Sequence, residues 1–139
     1  MKKTVFLLTL MFIFTYAVFS QNTKGHAEVL YFKTDISVSI DYTAECNLLE
    51  STIENIIKKN YPQGNVIFKE IRLAVDSNKV LVDKYQARSQ TVVIVKKKKK
   101  KEKSVNVEGI IQNYLRSRND ETLEKDLVKK INKFLNKKS

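Results

Sequence analysis

The chain has 139 residues and a formal charge of +11, from 26 basic and 15 acidic side chains, with one cysteine, one histidine and three glycines. A single cysteine excludes an internal disulfide. Gly25, Gly64 and Gly109 make neither a phosphate-cradling loop nor a dinucleotide fingerprint, and His26 alone supports neither a zinc ligand set nor a serine triad.

Residues 1–20 open on Lys2 and Lys3, run through an uncharged apolar block and end on Ser20, with Val18 two places before it. This is the pattern of a cleavable secretory signal. The apolar block, residues 5–19, is shorter than the roughly twenty residues a membrane span needs. The expected protein is exported, periplasmic or secreted, with no span after cleavage. No cysteine follows the block, so the mature chain is expected to begin at Gln21 without a lipid. It then has 119 residues and, with Lys2 and Lys3 gone, a formal charge of +9. That length fits one domain. The charge suits an anionic surface, an acidic glycan or an acidic protein, or serves solubility alone, and export weighs against nucleic acid. Without a disulfide, stability must come from packing.

Residues 21–26 are polar and read as a mobile start, with the domain covering 27–139. Val29, Leu30, Tyr31 and Phe32 form a short continuous apolar run, which predicts a strand covered on both faces. Ile36, Val38 and Ile40 alternate with polar residues, as a strand extension or a half-buried loop would. From Cys46 the spacing becomes helical, with Leu49, Ile53, Ile56 and Ile57 on one face and Thr43 or Asp41 available as cap. Asn60, Tyr61, Pro62 and Gly64 end that helix.

Residues 65–75 predict a strand whose apolar alternation slips near Lys69, as a bulge would cause. Asp76 or Ser77 can start a short helix carrying Val80, Leu81 and Tyr85. Residues 91–95, TVVIV, predict a central buried strand. Lys96, Lys97, Lys98, Lys99, Lys100 and Lys101 follow as a polar connection to a second strand, SVNV, in an antiparallel hairpin. Ile110, Ile111, Tyr114 and Leu115 mark a helix, and Leu123, Leu127, Val128, Ile131, Phe134 and Leu135 form the stripe of a last one. Strands joined through helices, then a terminal hairpin, predict a mixed sheet with helices on both faces.

Several local motifs in this order resemble the thioredoxin-like superfamily over roughly residues 27–137. Thr43-Ala44-Glu45-Cys46 resembles the position of that fold's C-x-x-C motif, and SQTVVIV resembles the segment that carries a cis-proline before a core strand. VLYF, CNLLESTIENII, DKYQARSQTVVIV, KKEKSVNVEGI and LEKDLVKKINKFL, taken in order, are similar to a small exported group, the ArsF family of nitrophenyl-compound nitroreductase subunits. The resemblance implies an α/β, thioredoxin-like, three-layer αβα fold with a mixed sheet of about four strands.

The departures bear on activity. In the family's motif the first cysteine attacks a disulfide and the second resolves the mixed disulfide. Here the first position is Thr43, only Cys46 remains, and Gln90 stands at the proline position. Residues 34–42 are also longer than the family's corresponding loop. The resemblance therefore implies an exported binding or accessory module without dithiol oxidoreductase activity, its partner an unidentified envelope protein. The alternative is a monothiol redox protein in which Cys46 exchanges with a partner thiol. Cys46 has two readings to match, an activated thiolate at a helix start near Lys33 or a packed core thiol. Nitroreductase chemistry would need flavin or nicotinamide, and no motif here holds either, so no cofactor and no metal is expected. The lysine run is either a candidate anion-binding hairpin tip or a solvated turn that protects a sheet edge.

Overall fold

Alternating side chains on one central strand organise the domain. The computed structural model describes residues 26–34, 39–98 and 100–137. The signal-like segment, the polar start through residue 25, Ile36 and Val38 of the alternating stretch, Lys99 and residues 138–139 lie outside them. Strand β1 (Ala27–Lys33) lies in the interior of a four-stranded sheet of order β2-β1-β3-β4. It pairs in parallel with β2 (Val66–Arg72) and antiparallel with β3 (Val92–Lys98), which pairs antiparallel with β4 (Lys101–Asn106). The parallel pair needs a long crossover, supplied by helix α1 (Ile40–Asn60). A 3₁₀ turn (Asp76–Asn78) and helix α2 (Lys79–Tyr85) connect β2 to β3, and helices α3 (Glu108–Ser117) and α4 (Asp120–Asn136) follow the hairpin.

Successive strand residues point to opposite faces, and both faces of β1 are covered. Val29 and Tyr31 join the larger core with Leu49 and Ile53 of α1, Ile111 of α3 and Leu127 of α4. Leu30 and Phe32 join a smaller core with Ile71, Val93 and Val95, against which Leu81, Val82 and Tyr85 of α2 pack. The fold is α/β, a mixed four-stranded sheet between two helical layers, compatible with the thioredoxin-like arrangement. Among the described residues no helix is long and apolar enough to cross a membrane.

Three local expectations are revised. β2 pairs without interruption from Ala27↔Val66 to Lys33↔Arg72, so the slip near Lys69 is not a bulge. It marks a change of covered face, since Val66 belongs to the larger core and Ile71 to the smaller. The lysine run is not a loop: Lys96, Lys97 and Lys98 continue β3, and Lys101 opens β4. Helix α1 begins before the apolar periodicity does, because Ser39 caps it, its Oγ accepting from Tyr42 N at 3.1 Å. Ile40 is then an exposed first-turn residue, 85% accessible, rather than part of a strand.

Caps also separate the last two helices. Arg118 ends α3 in the left-handed region at φ 51°, and the Asn119 side chain accepts from Thr122 N at 2.8 Å to open α4. Asn119→Ala is expected to destabilise the domain by about 1 kcal/mol, read as a lower urea midpoint with an unchanged slope.

Candidate functional site

The early start of α1 relocates Cys46. It is the seventh residue of the helix, nearly two turns from the cap, whereas the field of a helix end acts within the first turn. Its side chain is 2% exposed and packs inward, as free cysteine usually does. Thr43 is tied to the helix itself, its Oγ1 donating to Ser39 O at 3.0 Å.

Residues far apart in sequence enclose the thiol. The buried Tyr31 hydroxyl donates to Cys46 O at 3.0 Å, linking β1 to α1. Ser89 Oγ lies 3.9 Å from Cys46 Sγ, the long contact expected of sulfur. Tyr42 completes the group: a hydrogen bond with the Ser89 hydroxyl favours its ionised form, but burial and the adjacent Cys46 outweigh it and hold the phenol above its ordinary value. Lys33 is not a partner of the thiol. It donates to Glu50 Oε2 at 2.6 Å and lies 3.9 Å from Glu70. Burial, and then Glu70, hold Glu50 above the usual carboxylate range, while hydrogen bonds from Glu50 and Arg72 hold Glu70 below it.

The loop before β3 sits at the same end of the sheet. Thr91 N donates to Arg88 O at 3.0 Å, closing a turn in which Gln90 has φ 66°. Such a turn requires a positive φ at its third residue, which glycine or asparagine adopts with less strain than glutamine. The loop is anchored to β1 on both sides, with Gln90 N donating to Phe32 O at 2.8 Å and Phe32 N to Thr91 O at 2.9 Å. No peptide bond among the described residues is cis. Gln90 Nε2 is buried without a hydrogen-bond partner, which ordinarily costs about 1–3 kcal/mol. Beside it lies an open cavity of about 300 Å³, lined by Arg88, Ser89, Gln90 and Thr91 from the loop and by Glu108, Ile111 and Gln112 from α3. Arg88 Nη2 meets Glu108 Oε1 at 3.1 Å on its rim.

Thr43, Cys46 and Gln90 therefore lie around one end of the sheet, although Cys46 and Ser89 are 43 residues apart. Chemically the arrangement offers one buried thiol, one unpaired amide donor and a polar cavity. Sequence reading missed Tyr31, Tyr42 and Ser89. Tyr42 and Ser89 are the immediate neighbours of Thr43 and Gln90, a usable signal, whereas Tyr31 gives none, because an apolar run hides the direction of its hydroxyl.

The lysine run is divided between two faces. Lys97 approaches Glu28 Oε2 at 3.6 Å, and Glu28 also meets Lys69 at 2.6 Å. The hydrogen bond from Lys69 is the main cause holding Glu28 below the usual carboxylate range. Lys96 Nζ donates to Leu135 O at 2.7 Å, near the end of α4, where cations are favoured. Lys98 and Lys101 are exposed cross-strand neighbours, and Lys100 lies in the turn. No family model, curated protein or solved structure matches the chain.

Proposed function

We propose that this is an exported thioredoxin-like protein that acts as a binding or accessory module, without dithiol oxidoreductase activity. The observation that carries the reading is the 2% exposure of Cys46, with a threonine hydroxyl spent on the helix backbone where a nucleophilic thiol would be needed. Dithiol exchange needs an accessible attacking thiolate and a second cysteine to resolve the mixed disulfide, and the chain has one cysteine. The sheet order, the helical layers and the approach of Ser89 and Gln90 to the Thr43–Cys46 turn support a thioredoxin-like descent. The order of motifs supports membership of the ArsF family, with no nitroreductase activity of its own. Export rests on residues 1–20. The cavity beside Gln90 is the preferred place for a partner group, since a carbonyl oxygen presented there would satisfy the unpaired Nε2.

Alkylation of Cys46 tests this reading. Labelling of the folded protein is expected to be on the order of a thousandfold slower than in denaturant, because the thiol reacts only after opening against several kcal/mol. Oxidised glutathione should leave the folded protein's mass unchanged. Folded-state labelling as fast as unfolded, with a glutathione adduct, would replace the binding module by the monothiol redox protein.

A further inference from the structure

Strand alternation sends Lys96, Lys98, Lys101 and Lys103 to one face of the hairpin. It is the face of Ile94 and Val105, which pack with the larger core beneath α4. They form two like-charged cross-strand pairs, Lys96↔Lys103 and Lys98↔Lys101. Helix α4 and its C-cap contribute a second row, because Lys130 and Lys133 share a stripe of the helix and Lys137 caps its end four residues on. Between the rows runs a furrow of about 480 Å³, lined by Lys103, Ser104 and Val105 on one side and by Lys130, Lys133, Phe134 and Lys137 on the other.

The charged residues that line the furrow are all lysines, and Asp126, one turn before Lys130, is the acidic residue of that stripe. Among the described residues, Lys98, Lys101, Lys103, Lys130, Lys133 and Lys137 have no carboxylate in ion-pair distance, while on the opposite face of the same hairpin Lys97 and Glu102 are paired. Glu102, the acidic residue of the hairpin, alternates to that opposite face and binds Lys84 and Tyr85. Like charges facing one another across a hairpin are unfavourable, so a negative ligand relieves repulsion that the fold leaves standing.

We propose that this furrow binds an extended acidic segment of a partner protein, seated along the outer edge of β4. β4 is an edge strand, and among the described residues no strand pairs with its outer side, which is the geometry that strand addition uses. An added strand places alternate side chains about 6.6–7 Å apart on one face, the spacing of Lys101 and Lys103, with the α4 row across the furrow. Val105 and Phe134 are half-buried in its floor and receive apolar parts of the segment. Lysines suit carboxylates approaching without a set geometry, where arginines would favour planar bidentate anions. A bilayer is flat and reaches only the rims of a concave furrow, and a single half-buried aromatic offers no stacking row for bases. The proposal uses neither Cys46 nor the cavity beside Gln90, so it and the proposed function can fail separately.

The test uses the full chain and two fluorescent peptides of equal composition, one alternating glutamate with valine and one with the glutamates in a block. Titration should show tighter binding of the alternating peptide, weakening steeply as salt rises from about 0.05 to 0.5 M. The triple variant Lys101→Glu, Lys103→Glu, Lys133→Glu should lose tenfold or more in affinity. The control Lys58→Glu, Lys79→Glu, Lys125→Glu, with the same change in net charge away from the furrow, should lose less than threefold. A glutamine version of the first set, expected to lose several-fold, guards against misfolding and is accepted only with an unchanged circular dichroism spectrum. Equal losses in furrow and control variants would reduce the effect to net charge and overturn the site. Equal affinity for the two peptides would overturn the strand-addition geometry. Furrow-dependent binding to phosphatidylglycerol vesicles but to neither peptide would overturn the partner class in favour of a membrane surface.

Discussion

Raising the pH above about 10 is expected to unfold the domain in a single steep transition. Tyr31, Tyr61 and Tyr114 are all buried. Burial is the largest cause raising each of them, with Tyr61 pushed up to about 12 and Tyr31 and Tyr114 also above the ordinary value. The ionised phenol is the charged form, so a raised folded value means that the unfolded chain loses its proton first. The stability these groups contribute is complete below the unfolded value of about 10 and is lost as pH rises toward the folded values. Each phenol that ionises only in the unfolded chain removes about 1.4 kcal/mol per pH unit, so Tyr31 and Tyr61 together give a slope near 3 kcal/mol per unit between about pH 10 and 12. Against a typical total of about 5–15 kcal/mol, few pH units suffice. Urea midpoints across this range measure the slope. Tyr61→Phe removes the phenol that donates to Asn132 Oδ1 at 2.9 Å. It should cost about 1 kcal/mol at neutral pH and flatten the alkaline slope by about 1.4 kcal/mol per unit. A stability that stays level from neutral pH to about 11 would show that these phenols ionise in the folded protein and would sink the account.

Phe32→Ala is expected to cost about 3–5 kcal/mol, the range for deleting a buried phenyl ring. Phe32 is fully buried in the smaller core, edge-on to Tyr85 with ring centroids 6.2 Å apart. Two features place this residue at the high end. Helix α2 has seven residues and none of them fully buried, and a helix that short has no stability apart from its packing. The same residue's backbone holds the Gln90 loop through both its N–H and its C=O, so a collapse around the missing ring shifts the cavity as well. Phe32→Leu keeps most of the volume and should cost less than about 1.5 kcal/mol. Hydrogen exchange on the alanine variant should show α2 and residues 88–91 opening before α1. Uniform loss of protection across the domain would mean that the two cores fail together and that the small one has no separate role.

The two predictions concern the two faces of β1, and they show which parts of the fold were legible in the primary structure. The run Val29 to Phe32 is apolar at every position because both faces of the strand are covered, and continuous apolar runs report that condition directly. The stripe of α4 was equally readable, since Leu123, Leu127 and Ile131 are its buried residues. Order and spacing of elements were enough for the mixed sheet, because a parallel pair needs a crossover and a short polar connection closes a hairpin. Helix α1 was misread at its start. Its first turn is exposed, so periodicity was silent there, and the cap at Ser39 was the only signal.

The chain's own residues determined the single thiol, Thr43 three places before it, Gln90 before the TVVIV run and the basic balance, since these are matters of composition and position. Tertiary structure decided what they amount to. Only packing shows that Cys46 is enclosed by Tyr31, Tyr42 and Ser89 rather than open to solvent. The fate of the lysine run turned on strand register, which carries a period of two. One residue's shift in pairing would exchange Lys97 and Glu102 with Lys96 and Lys103 between the opposite face of the hairpin and the furrow. Row and floor come from segments some 30 residues apart that meet only when α4 lies down beside the hairpin. That meeting is a consequence of burying Leu127 and Ile131, and no local pattern of charge records it.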